Sequence, residues 1–441
     1  MRSKFEYIVV LFLGVSFLFI VSGNIQKSAP DEGFDTTRHI FYVWHIKDGL
    51  GIPYRYENGI ETYVPNHPAL YYYLASFLVD KEQNFESLRR LQYGTMMTVL
   101  TFIIVAYLIF RELNIPPAVR LLTILLLFFN PTILTTSRMI TNELLSQLFA
   151  ITSILFVIKF VRRDNGLYFI PAAIFLALAI NTKISHLTLF PVYFGLLAYL
   201  TIRKKTKKYL HLAVVLLAAL LTFLPFVMLN FQRYGGPFAP NSKPAPYTTD
   251  VGLYFLTFDP KVIQRPFYPT GILTSMWSGL YGFIFSDYSG TLRPAPGTTD
   301  GMCLVNLPEI HSYILCRSYQ SYLILAKLGI FVVLFFAIGF FVRVLTEKKT
   351  EEMKVYIAAS LAYIVFLVAL VVTYPDLPGG IGGKIVYILI FLQFFYYLVA
   401  TGFLTVLGLN FKSLLVKSLV RISLLSFLVL YLAVNFRALI L

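Results

Sequence analysis

The sequence predicts an all-α integral membrane protein with about eleven transmembrane helices. Three observations lead there. Apolar residues make up 57% of the 441 positions, while charged residues make up 13%, against about 25% in a soluble domain. Mean hydropathy is +0.72. The apolar residues also gather into continuous runs long enough for a hydrocarbon core of about 30 Å, roughly 20 helical residues each. A soluble globular chain, a disordered chain, collagen and a small disulfide scaffold are all excluded, the last by the presence of only two cysteines.

The runs fall at residues 6–23, 90–110, 118–134, 142–161, 167–181, 185–202, 209–231, 321–343, 354–374, 384–409 and 415–440. Residues 1–441 read as a single transmembrane domain without a separate soluble domain, a 20–50-residue repeat or a low-complexity tract. Basic residues outnumber acidic ones, 37 to 22, for a net charge of +15. In a soluble protein this would suggest nucleic acid. Here the basic runs at 203–208 and 343–354 lie between apolar stretches, as cytoplasmic loops do, and no nucleic-acid partner is expected.

With the amino terminus inside, the inner connections hold Arg111, Arg120, Lys159, Arg162, Arg163, Lys412 and Lys417 together with both basic runs. The short outer connections hold only Arg138, Lys183 and Lys384. That asymmetry predicts a multi-pass cell-membrane protein with its amino terminus cytoplasmic and its carboxyl terminus external. Arg2 and Lys4 before an apolar run ending at Val21-Ser22-Gly23 also fit a cleaved signal peptide, which leaves the next segment outside as well. Two long polar segments, 24–89 and 232–320, then share the external side, where the active site is expected.

The first external loop opens with Pro30-Asp31-Glu32-Gly33-Phe34-Asp35. Asp31 can cap a helix from about Glu32 to Asp48, which places Asp35 and His39 on one face. Capping and catalysis both fit this cluster. The stretch His67-Pro68-Ala69-Leu70-Tyr71-Tyr72-Tyr73 through Val79 is too short to span, so it reads as an interfacial or re-entrant helix. Two juxtamembrane helices over the bundle would enclose Asp31, Glu32, His39, Glu57, Glu61 and His67 in a cleft half in lipid and half in water.

Pro-Asp-Glu after the first span, His67-Pro68-Ala69-Leu70-Tyr71-Tyr72, and Ala179-Ile180-Asn181-Thr182-Lys183-Ile184-Ser185 together resemble the multispan glycosyltransferases of the GT-C fold, in their protein-mannosyltransferase-like and related branches. Ser275 through Gly282 resembles the aromatic segment of their second external loop, and Gly382-Gly383-Lys384-Ile385-Val386-Tyr387 resembles a Gly-Arg-Tyr motif opening a late span. The order and sidedness of these motifs, more than any one of them, carry the resemblance. Ala69 stands in place of a proline, Lys384 in place of an arginine, and Asp35 where some relatives have histidine.

The resemblance implies transfer of a sugar from a polyprenyl-phosphate carrier to an acceptor (glycan, lipid or protein) at the external face, with inversion. Such a reaction needs a carboxylate within roughly 2.6–3.2 Å of the acceptor hydroxyl, a role assigned to Asp31. It also needs fixed cations at the departing phosphate, for which Lys183, Arg138 and Lys384 are the candidates, each snorkelling to headgroup level from an outer connection. Interfacial anchoring accounts for Lys183 equally well and is the plainer account of Arg138 and Lys384. Glu32 could hold the base, contact the acceptor or bind a divalent metal ion with Asp31, Asp35 and a nitrogen of His67 or His39, although the spacing matches no fixed metal signature and no cofactor is certain. Acceptor or sugar contacts are expected from Asp35, His39, His67, Tyr71 and Trp277.

Glu143 reads as a helix-start charge, His186 and His211 as satisfied bundle histidines, and His311 as a loop residue able to face the acceptor by position alone. In the second external loop Trp277, Tyr281 and Tyr288 could stack on sugar rings, but they equally mark a membrane interface. Cys303 and Cys316, both in that loop on the oxidising side, suggest a disulfide. The rival reading from another class is a transporter or flippase of lipid-linked sugars, which should bury ionisable groups near midplane on broken helices. A ligase moving a whole glycan from a polyprenyl diphosphate and an inactive structural member complete the alternatives.

Overall fold

The computed structural model describes residues 2–27, 29–31, 35–54, 56–57, 60–61, 67–205, 208–237, 257–264, 276–285, 302–307, 310–346, 349–373, 388–410 and 413–439. Among these, the chain is helical apart from two short antiparallel hairpins. α1 (Arg2–Lys27) is the first span. The first loop holds α2 (Thr36–Lys47), the hairpin β1 (Tyr56–Glu57) and β2 (Ile60–Glu61), and α3 (Leu70–Ser76). The bundle continues with α4 (Phe85–Glu112), α5 (Pro117–Phe128), α6 (Pro131–Thr136), α7 (Glu143–Arg163), α8 (Phe169–Thr182), α9 (Leu189–Lys204), α10 (Lys208–Leu221) and α11 (Leu224–Tyr234). The second loop carries α12 (Lys261–Gln264), α13 (Met276–Phe285) and the hairpin β3 (Met302–Leu307) with β4 (Ile310–Leu315). Four long helices close the chain: α14 (Cys316–Phe340), α15 (Glu351–Thr373), α16 (Leu389–Leu407) and α17 (Leu414–Leu439).

Nine helices among the described residues are long and apolar enough to cross a membrane, which makes this a multi-pass membrane protein. Eleven were expected, and the two that fall short are the runs at 118–134 and 167–181. The first is interrupted because Asn130 and Pro131 start a new helix: the Asn130 side chain accepts from the Ile133 amide and donates to the Ile284 carbonyl and the Tyr396 hydroxyl. The second stops at Lys183, whose backbone is extended, before a 3-10 turn over Ile184–Thr188 leads into α9. Both interruptions are buried inside the bundle.

The core has two parts. The larger runs through the transmembrane helices, and α14 meets α16 so closely that a Cβ on Gly339 would fall 1.9 Å from the Leu398 carbonyl oxygen. The smaller lies between α2, α3 and the start of α4, where Tyr42, Trp44, Tyr71, Tyr72 and Leu91 pack together with Ile140. Here the rings of Tyr42 and Tyr72 stack at 3.6 Å. An aromatic cap thus sits on the bundle, as the interfacial reading of the first loop requires. Arg233 of α11 ties it down by donating to the Ile52 and Pro53 carbonyls.

Candidate active site

α2 starts four residues later than expected. Asp31 is exposed in a turn after buried Pro30, and it is Asp35, at φ +52°, that occupies the cap position. The Asp35 carboxylate makes no cap hydrogen bond because Arg38, one turn along, draws it into an ion pair at 2.8 Å. Asp35 and His39 lie one turn apart, joined by a backbone bond of 2.9 Å, but Asp35 is exposed and His39 is buried. Glu32 lies outside the described residues, as do the side chains of Glu57 and Glu61.

His39 is the pivot of the cap. Its Nδ1 lies 2.8 Å from the Tyr72 hydroxyl, and its ring stacks at 6.0 Å on that of His67 and meets Tyr71 edge-on at 6.4 Å. Burial, the nearby Lys183 ammonium and Arg38 together lower its pKa to about 3, so the imidazole is neutral at ordinary pH. Burial likewise pushes the Tyr71 hydroxyl up. Tyr71, expected as an acceptor or sugar contact, is a packed cap residue, only 7% exposed.

Beneath the cap two chain breaks meet. Between α6 and α7 the backbone turns through Arg138, whose carbonyl accepts from Gln92 Nε2 of α4 at 2.8 Å. Asn142, at the start of α7, donates to the Thr182 carbonyl at 3.2 Å and so clamps this turn to the end of α8. The next residue on each side completes the junction: the Lys183 ammonium pairs with the Glu143 carboxylate. Arg138 is 1% exposed and Lys183 3%. Neither snorkels to an interface as expected, because each sits in a helix break inside the bundle rather than at its rim.

Glu143, expected only to mark a helix start, is the half-buried carboxylate of this junction, and its Oε2 has no hydrogen-bond partner among the described residues. No sequence signal separates the two roles, since a carboxylate in a first turn fits both. His186 is buried as expected, with Nδ1 2.7 Å from the Tyr363 hydroxyl, but only half satisfied: its Nε2 has no hydrogen-bond partner among the described residues. His211 is not; it is exposed on α10, where no neighbouring helix covers it. Among the described residues these two breaks hold two buried cations, Arg138 and Lys183, and one carboxylate, Glu143, while His39 above them is neutral. In so dry a place, fixed charges act far more strongly than in water.

The remaining expected residues are not brought here by any described contact. Trp277 is 39% exposed on α13, which packs against α6 and α14. Tyr281 is buried and donates to the Ala326 carbonyl. Lys384 and Tyr288 lie outside the described residues; so do the side chains of Cys303, in β3, of His311, in β4, and of Cys316, at the start of α14. Among the described residues no three His, Cys, Asp or Glu side chains converge as a metal site.

Residues 66–229 match the family model described as dolichyl-phosphate-mannose-protein mannosyltransferase. The matched segment contains α3, Arg138, Glu143 and Lys183 but not Asp31. The structure is similar to that of the archaeal oligosaccharyltransferase AglB from Archaeoglobus fulgidus in complex with an inhibitory peptide and a dolichol-phosphate, with TM-score 0.57, 13% identity, and coverage of 99% of this chain and 56% of that one. It is also similar to ArnT from Cupriavidus metallidurans bound to undecaprenyl phosphate, with TM-score 0.53, 13% identity, and coverage of 98% of this chain and 76% of that one. The chain has the GT-C fold. It spans little more than half the length of the oligosaccharyltransferase. A sequence comparison with curated proteins gives no match.

Proposed function

We propose that this protein is a glycosyltransferase that moves a sugar from a polyprenyl-phosphate carrier to an acceptor at the external membrane face, with inversion. The observation that carries the reading is that two helix breaks under the aromatic cap hold buried Arg138 and the Lys183–Glu143 ion pair inside the bundle. The family match over this segment and the lipid phosphates named with the two structural neighbours support it.

In this mechanism the acceptor hydroxyl attacks the anomeric carbon and gives its proton to the Asp31 carboxylate, whose exposure leaves it open to an acceptor arriving from water. The bond from that carbon to the carrier phosphate breaks, and its electron pair leaves on the phosphate oxygen. Arg138 and Lys183 stabilise the charge that collects there, Lys183 turning from Glu143 toward the phosphate. Arg138 can fork two phosphate oxygens, while Lys183 acts as a point charge. Glu32 steadies the base, Lys384 adds a third cation, and His67 and Trp277 contribute to the acceptor side.

The test is transfer from a synthetic polyprenyl-phosphate sugar by the purified full-length protein. Asp31→Asn should abolish turnover while leaving folding and donor binding intact; full activity in this variant removes Asp31 as the base. The burial of charged groups on broken helices also favours the rival flippase reading. Depth argues against it: Gln92, which holds the Arg138 carbonyl, is the eighth residue of α4, about 11 Å from the helix start and well short of the middle of its 28 residues. Movement of a labelled lipid-linked sugar across proteoliposomes without any transfer product would decide for the flippase.

A further inference from the structure

The opposite end of α4 and α7 carries a second basic feature that the proposed transfer reaction does not use. A cavity of about 460 Å³ opens between the last turns of these helices, lined by Leu108, Arg111, Glu112, Lys159, Arg162 and Arg163, with Asn114 at its edge. That volume lies within the roughly 300–1,000 Å³ of small-molecule pockets. Four cations face a single carboxylate. α7 runs for 21 residues from Glu143 to Arg163, so this cavity and the buried cluster are about 30 Å apart, the thickness of a hydrocarbon core. The cavity therefore lies at headgroup depth on the other side of the membrane.

Its walls are built. Arg162 donates to the Glu112 carbonyl at 2.5 Å and to the Glu112 carboxylate at 3.2 Å, and its other nitrogen reaches Asn114 Oδ1 at 3.3 Å. Arg163 shares the same carboxylate at 3.4 Å and donates to the Tyr168 hydroxyl. Arg111 donates to the Tyr7 hydroxyl and lies over that ring, and Lys159 lies 5.4 Å from the centre of the Phe156 ring. Glu112 thus orients two guanidinium groups without neutralising the set, while no ion pair within 4.0 Å is seen for Arg111 or Lys159 among the described residues. Leu108, one turn deeper, supplies an apolar wall pointing along the span.

We infer that this cavity binds the headgroup of an anionic phospholipid, its phosphate between Lys159, Arg111 and the two oriented guanidiniums and an acyl chain running past Leu108. A lipid fits better than a free ion because the hollow joins a charged rim to apolar surface at the end of two spans.

The experiment is native mass spectrometry of the full-length protein released from nanodiscs of equal phosphatidylglycerol and phosphatidylcholine. The wild type should retain phosphatidylglycerol preferentially, and Arg111→Gln and Lys159→Gln should each lower its retention on the order of fivefold, with Lys159→Arg restoring it. Equal retention of the two lipids by the wild type, or unchanged retention in the double variant, would overturn the inference. Stabilisation by millimolar inorganic phosphate equal to that given by phosphatidylglycerol would also overturn it, in favour of a soluble anion. Unfolding temperature in detergent, measured alongside, identifies any loss of retention that comes from misfolding, and the Lys159→Arg variant then decides.

Discussion

Two buried ion pairs, one at each end of the bundle, show how the same interaction serves different ends. Near the amino terminus, Glu6 of α1 pairs with Arg120 of α5. Tyr107 donates to the same carboxylate oxygen at 3.2 Å, and a third guanidinium nitrogen donates to the Ile115 carbonyl at 3.0 Å. Three donors converge on that one Glu6 oxygen, and the pair joins α1, α4 and α5. At the other end Lys183 is buried and Glu143 half-buried, yet one Glu143 oxygen is left without a partner among the described residues and the neighbouring Arg138 adds a further positive charge. The first pair ties three helices together, whereas the second sits in a helix break with a carboxylate oxygen still able to accept a hydrogen bond among the described residues.

The sharpest way to break this comparison is to remove one cation from each pair. Arg120→Leu leaves Glu6 buried and uncompensated and should cost about 3–5 kcal/mol of stability, read by denaturant titration in detergent, without changing the turnover of the folded fraction. Lys183→Met should instead lower turnover on the order of 10²–10³-fold, about 2.7–4 kcal/mol of transition-state stabilisation, with part of the loss recovered in Lys183→Arg. A turnover defect in Arg120→Leu as large as that in Lys183→Met would erase the distinction.

Gly339→Ala gives a reference that touches neither pair. Its Cβ would collide with the backbone of α16, for a loss of about 1–3 kcal/mol by the same titration and no change in donor affinity. The last effect concerns pH. His39 is held neutral to about pH 3 in the folded protein, whereas the unfolded chain protonates near its ordinary value of 6.5. The unfolded state therefore binds the extra proton, and stability falls as pH drops from about 6.5 toward 3, with a slope approaching 1.4 kcal/mol per pH unit. His39→Gln should flatten that slope, and an unchanged slope would show that His39 titrates alike in the folded and unfolded chain.

Much of this was legible in advance, for particular reasons. Span lengths follow from hydropathy, since every backbone group in lipid must be bonded within its own helix. The short apolar stretch after His67 is too short to span, and α3 packs in the cap. Arg138 and Lys183 stood out because so few cations occupy the short outer connections. Glu143 did not stand out, because a first-turn carboxylate looks the same whether it faces solvent or a buried lysine. Nor could the break at Asn130 be read from hydropathy, which runs through it unchanged; its bonds reach Ile284 and Tyr396, far along the chain.

The sequence by itself determined the solvent: a chain this apolar must place its long helices in a bilayer and its charges at their ends, because lipid cannot solvate either a bare amide or an ion. Only the tertiary structure decided which of those charges are drawn inward. Lys183 meets Glu143, and His39 meets Tyr72, across 40 and 33 residues of chain, through contacts that packing creates and local pattern cannot encode.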